Sequence, residues 1–146
     1  MNSDLVPATQ SVNPFLIPLK SPLMLTNMNL DGDGALQLLS KIRTDPGRRM
    51  DDCLNTVIQA VSVASYEYEF VHEPTGEIRT ARNYVIVHPD DSYTTFTSLQ
   101  AWSNLCMIVE FLRDPGPWKP PLRLRVVSRA LDAGRRLHGF QFDGRG

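Results

Sequence analysis

The run PPLRLRVVSRALDAGRRLHGFQF, residues 120–142, alternates leucine with arginine, breaks at a glycine, and resumes with arginine, histidine and phenylalanine. Arginine suits phosphate because its planar fork can make two hydrogen bonds at once, and its flat face can stack on a ring. Arg123, Arg125 and Arg129 share one strand period, while Arg135 and Arg136 flank the turn. The chemistry such a pattern can do is capture of an anion, with no covalent step. For Arg123 and Arg125 a plainer reading comes first: a solvated strand face whose charges discourage edge-to-edge aggregation. Arg135 and Arg136, beside a turn glycine, have little packing to do and read as contacts. Arg79 and Arg82, in IRTARNYVIV, join Arg129, Arg135 and Arg136 as the favoured cationic positions.

Aromatic residues are interleaved with these cations. Tyr84 and Tyr93, Tyr66 and Tyr68, and Phe140 or Phe142 are candidates for platforms on which flat rings stack. Alternation sets Tyr93 and Phe96 on opposite faces, so Tyr93 is expected outward and Phe96 in the core. Packing on a half-buried surface competes with stacking at every tyrosine. Trp102, mid-helix on an apolar stripe, is expected in the core. Trp118, between prolines in GPWKPP, is expected to pack, with a subunit contact or a stacked base as the other readings.

The elements that must position these groups follow from the pattern. TVIQAVSVASYEYEF is rich in β-branched and aromatic residues and changes phase midway, which predicts a bulge or sharp bend near Ala64–Ser65 in a long first strand. HEPTGE is a turn, IRTARNYVIV a second strand, HPDDS a turn and YTTFTS a third strand. SLQAWSNLCMIVEFL is a helix with Ser98 as N-cap and an apolar stripe through Leu99, Trp102, Cys106 and Val109. DPGPWKPP stops it. Leu122–Arg129 and Arg136–Phe142 make the last two strands.

The order β-β-β-α-β-β predicts a mainly β fold with α content (β+α), a five-stranded OB-like barrel with one helix between strands 3 and 4. Residues 1–33 hold four of the eleven prolines and are expected as an extended, weakly ordered N-terminal arm. Residues 34–146 form the barrel domain with a leading short helix through Leu36, Leu39 and Ile42. In such barrels the loops joining strands 1–2 and 4–5 frame the binding face; here they are 72–77 and 130–135.

The runs RRMDDCLNTVIQAV, YEFVHEPTGEIRTARNYVIVHPDDSYTTFTS, DPGPWKPPLRLRVV and GRRLHGFQF together resemble small phage- and plasmid-encoded single-stranded DNA-binding proteins. The likeness spans roughly residues 48–142 and is a pattern of turns and strand chemistry. It implies an OB-like fold and sequence-tolerant binding of single-stranded DNA in replication of a phage or mobile element, in the cytoplasm of a host cell. In this reading several copies act along one strand. Two departures stand out. The HPDDS turn lacks the glycine of that pattern, and the chain ends FDGRG rather than in an acidic tail, so partner recruitment by such a tail is not expected. Alternative readings are a non-catalytic structural or protein-interaction barrel, or a single-stranded RNA binder.

Composition agrees with a binder of modest overall charge. The net charge of the 146-residue chain is -1, yet residues 113–146 carry eight basic side chains against three acids. A split of this kind supports anion binding at one pole of a neutral protein. The remaining acidic surface opposes long-range attraction to DNA. Two cysteines, Cys53 and Cys106, are too few for a disulfide framework, and Cys106 reads as a buried free thiol. No signal peptide or membrane span is expected. LDGDGALQLLSKI lacks the oxygen ligands of a calcium loop. His72, His88 and His138 stand far apart outside any nucleophile or metal motif, and no phosphate-loop or dinucleotide fingerprint occurs. No enzyme activity, cofactor, metal, membrane or small-molecule substrate is expected; the expected partners are single-stranded DNA and, through the arm, further copies of the chain.

Overall fold

The computed structural model describes residues 17–18, 24–28, 32–45, 47–131 and 134–146. Its strands are β1 (Ile17–Pro18), β2 (Met24–Thr26), β3 (Arg48–Arg49), β4 (Val57–Ala60), β5 (Ser62–His72), β6 (Glu77–Val87), β7 (Tyr93–Phe96), β8 (Leu122–Ala130) and β9 (Arg136–Arg145). Two α-helices, α1 (Gly32–Thr44) and α2 (Leu99–Leu112), and a 3-10 helix (Met50–Cys53) complete the described elements. The chain is mainly β with α content. The strands form two sheets, ordered β1-β2-β5-β6-β7-β3 and β4-β8-β9.

The phase change in the first long segment lies at Val61, three residues before the expected bend. Ala60 pairs with Leu122 of β8, whereas Ser62 already pairs with Val87 of β6. Val61 itself donates its N–H to Val87 and accepts at its carbonyl from Trp118 N–H, 2.9 and 2.8 Å. One residue thus hands the chain from one sheet to the other, and the inward positions shift from Ile58 and Ala60 to Val63. The residue type is ordinary; its hydrogen-bond partners make the switch.

Among the described residues no closed barrel is found, and the strands of the expected five-stranded OB-like barrel are divided between two sheets. Among the described residues no ladder joins β7 to β9. The free edge of β7 is instead taken by β3, which runs parallel to it with Arg48 opposite Thr94 and Arg49 opposite Thr95. The following 3-10 helix brings Asp51 to His138 of β9, carboxylate to Nε2 at 3.2 Å. Across the seam the rings of Phe96 and Phe140 meet edge to face at 5.4 Å.

The main core lies between the two sheets and α2, and includes Ile58, Val63, Trp102, Leu105, Leu124 and Val126. Ser98 caps α2, its Oγ accepting from Ala101 N–H at 3.1 Å, and Arg113 closes the helix in left-handed geometry. Trp118 is fully buried, its indole N–H donating to the Asp114 carbonyl at 2.8 Å; packing is therefore the role the structure gives it.

A second apolar cluster occupies the outer face of the larger sheet. Ile42, with Leu38 and Leu39, sets α1 down on Ala64, Val85, Val87 and Tyr93. Leu36, placed on the apolar side of this helix by spacing, is exposed instead. Of the expected N-terminal arm, β1 and β2 extend this sheet, with β2 on the edge of β5 from Ala64 to Tyr66. Of residues 1–31, those other than 17–18 and 24–28 lie outside the described residues. Asn27 fastens β2 to the body: its Oδ1 accepts from Val63 N–H at 3.0 Å and its Nδ2 donates to Pro115 at 2.9 Å. Gly116 beside it has φ +84°, and a Cβ there would run into Asn27 and Trp118.

Candidate nucleic-acid interface

Four of the six aromatic residues proposed as stacking platforms, Tyr66, Tyr84, Tyr93 and Phe140, are buried. Tyr84 is 4% exposed, on the inner face of β6, with its ring stacked on Trp102 at 4.7 Å and on Phe96 at 5.3 Å. Burial pushes its hydroxyl pKa up. Phe140 is 4% exposed and packs against Phe96. Tyr93 does face away from Phe96, as alternation required, but it is only 6% exposed because α1 covers that face and Lys41 lies over its ring at 5.8 Å. The correction has one physical source: a sheet face that a helix covers wants aromatic residues as much as a ligand does. Tyr68 remains half-buried, in a row of tilted rings with Tyr66 and Phe70 spaced by 6.3 and 6.2 Å. Tyr66 is buried as well, its hydroxyl accepting from Asn83 at 2.9 Å.

The arginines divide by what already holds them. Arg82 is a structural cation: it donates to Ser65 Oγ at 2.8 Å and to Glu67 at 2.9 Å, with its side chain 14% exposed. A phosphate contact at Arg82 would have to compete with Glu67 for its guanidinium. Arg79 is exposed and pairs with Glu77 on its own strand at 3.1 Å. Arg123 and Arg125 share Asp143, each at 3.8 Å, and Arg145 pairs with Asp114 at 3.0 Å.

The far end of the β8–β9 ribbon is different. Arg129 and Arg135 are exposed and form no ion pair with a described residue; Asp132, in the turn, lies outside the described residues. Arg136 is held by a neutral partner, its Nε donating to Ser128 Oγ at 2.7 Å. The register opposes Arg129 to Leu137 and Ala130 to Arg136, which places Arg129 and Arg136 on opposite faces of the ribbon. Arg135 sits between them, its carbonyl accepting from Leu131 N–H at 2.7 Å to close the turn. The structure therefore gathers three of the proposed contact residues around one ribbon end.

Beside this end a groove of about 570 Å³ runs between α2 and the ribbon. Leu99, Val127 and Leu137 form apolar walls; Gln100, Ser103 and Asn104 supply polar groups from successive turns of α2; Arg129 lines it as well. Sequence reasoning missed this groove. Leu99 belonged to the apolar helix stripe, yet it is 56% exposed. The available signal was Gly139, since a glycine inside a strand often marks a close backbone approach. A Cβ at Gly139 would lie 3.1 Å from Asn104 Oδ1, the oxygen that accepts the Phe140 N–H.

The remaining titratable groups do not converge. His88 is buried, with Nδ1 2.6 Å from the Gln59 carbonyl and Nε2 2.7 Å from Thr94 Oγ1. A carbonyl only accepts, so Nδ1 carries the proton and Nε2 accepts from the threonine hydroxyl. Burial lowers its pKa, against the opposing pull of the Gln59 bond. Cys106 is half-buried and its thiol is pushed up to about 12, first by desolvation and then by Glu110. Among the described residues no group of His, Cys, Asp and Glu could hold a metal ion, and no helix is long and apolar enough to cross a membrane. Comparison with family models, with curated proteins and with solved structures finds no match.

Proposed function

We propose that this chain is a sequence-tolerant single-stranded DNA-binding protein of OB-like design, acting in replication of a phage or mobile element. The observation that carries the reading is the end of the β8–β9 ribbon. Arg129, Arg135 and Arg136 surround it without an acidic partner among the described residues, while Arg79, Arg82, Arg123, Arg125 and Arg145 are each paired with a carboxylate. An arginine already paired must break that pair to bind a phosphate; these three need not.

The connectivity supports the same reading. The segment β4–β5 pairs first with β8 and then with β6, β6 pairs with β7, α2 follows, and β8 pairs with β9. This order supports an OB-like design in which the β7–β9 seam is open and edged by β3. The loop between the last two strands is one of those that OB-type binders use. The binding energy would come from phosphate contacts and from bases placed against non-specific surfaces, so no cofactor and no chemical step are required.

The test is fluorescence anisotropy with a labelled single strand of about thirty nucleotides, beyond the ~4–16-nucleotide site of one OB unit. Matched duplex and RNA are titrated in parallel. Binding to the single strand, weaker binding to duplex, and loss of affinity in Arg135→Ala/Arg136→Ala are expected. Equal binding to single strand and duplex would sink the reading and leave a generic basic patch.

A further inference from the structure

The outer face of the β5–β6–β7 sheet, where aromatic platforms were expected, is closed by α1 over Tyr93, Val85 and Val87. A single-strand binder needs somewhere else to put a base. Building on the function proposed above, we propose that the groove between α2 and the β8–β9 ribbon seats an unstacked nucleobase of the bound strand, with Arg129 on the adjoining phosphate.

Size comes first. About 570 Å³ falls within the ~300–1,000 Å³ of clefts that hold small organic ligands, ample for one nucleoside. Its walls suit a flat ring. Leu99 rises from the first turn of α2, opposite Val127 and Leu137 on the ribbon. Their surface stays accessible, because Leu99 is exposed and the other two are half-buried.

Polar placement comes next. Asn104 is oriented by the Phe140 N–H, which only its amide oxygen can accept. That bond turns the amide nitrogen into a fixed donor, and no described partner takes it up. Gln100, one turn earlier on the helix, and Ser103, the residue before Asn104, add an amide and a hydroxyl that can each donate or accept. Such mixed groups can meet any base edge, which fits tolerance of sequence. Gly139 permits the close approach of ribbon and helix that brings these groups opposite the apolar wall.

Charge selects the occupant. The rim contributed by the ribbon carries Arg129, with Arg135 and Arg136 beyond it, so a ring that arrives attached to phosphate is favoured over a neutral apolar ligand. None of the described residues lining the groove is acidic, and Asp51, on the 3-10 helix, lies 3.2 Å from His138.

The experiment compares a thymidine strand with a strand of the same length and phosphate count made of abasic sites. Wild type should bind the thymidine strand at least about tenfold more tightly, the scale of one stacked base. Leu99→Trp and Val127→Trp fill the groove. Each should pull thymidine affinity down toward the abasic level while leaving abasic affinity unchanged. Arg135→Ala/Arg136→Ala should weaken both strands by the same factor. Because Leu99 is exposed, its variant should keep the wild-type melting temperature, which separates filling from misfolding. As a second readout on wild type, a strand bearing 5-iododeoxyuridine should cross-link on irradiation within residues 99–104 or 127–140.

If thymidine and abasic strands bind wild type equally, the inference is overturned while single-strand binding stands. The same holds if the groove variants keep the full preference, or if cross-links map only to β5 and β6. If wild type binds neither strand, both the function and the groove assignment fall.

Discussion

The ring of Tyr84 on β6 lies almost flat on Trp102 of α2, with centroids 4.7 Å apart and planes inclined by 14°. This pair ties the larger sheet to the helix, and Phe96 and Phe140 extend it across the open seam. It also explains why a tyrosine in a plausible ligand position cannot serve a ligand: its face is already covered.

Tyr84→Ala should destabilise the fold by about 3–5 kcal/mol, the usual cost of removing a buried aromatic ring. Tyr84→Phe keeps the stack and should cost under about 1.5 kcal/mol. Urea unfolding measures both. Single-strand affinity of Tyr84→Phe should equal wild type; a large drop would restore Tyr84 as a contact residue.

Asn27 joins β2 to Val63 and to Pro115, and it is almost fully buried. Asn27→Ala leaves the buried Val63 N–H without this partner, at about 1–3 kcal/mol, and removes the bond to the exposed Pro115. A fall in the urea midpoint with an unchanged slope is the expected result. Limited proteolysis should cut the variant first before residue 32, because the bond that fastens β2 is gone.

His88 makes stability depend on pH in a defined direction. Its pKa is lowered in the folded state by burial, with Arg48 adding to the shift and the Gln59 bond and Asp90 opposing it. The unfolded chain therefore binds this proton more readily than the native one. Stability should be intact above about pH 6.5, the ordinary value, and should be lost as pH falls from there toward the lowered folded value. Urea midpoints at pH 7.5 and 5.0 report the loss. His88→Gln, which cannot titrate, should flatten that slope even if it is less stable at pH 7.5.

Arg135 and Arg136 should act through phosphate. Removing two phosphate contacts from a single-strand binder should reduce the slope of log affinity against log salt by about 1.4. Arg123→Ala, whose partner is Asp143, should leave the slope within error. A salt slope that does not move in the double variant would exclude the ribbon end from the backbone path.

Much of the local architecture was legible in the residues themselves. The β-branched and aromatic run announced the first strands, Ser98 announced the start of α2, and HEPTGE marked the β5–β6 turn, where Gly76 has φ +71°. These signals are local because turns and caps are satisfied by groups a few residues away. The burial of Trp102 was legible too, from its place on an apolar helical stripe, whereas for Trp118, between prolines, packing was the leading one of several readings that the fold then settled.

The sequence by itself determined the order of the strands around α2, the alternation that sets Tyr93 against Phe96, and the concentration of arginine on the β8–β9 ribbon. Tertiary structure alone decided which of those side chains are available. Tyr93 points away from the main core as its parity demands, but α1 arrives from fifty residues earlier to cover it. Arg82 and Arg129 look alike in sequence, and only the cross-strand register puts Glu67 opposite the first and Leu137 opposite the second. The parallel docking of Arg48–Arg49 on β7, which leaves the seam unclosed, has no sequence signature at all. Parity and turn type depend on neighbours along the chain; exposure and charge pairing depend on what folds back from a distance, and so are set only when the chain is assembled.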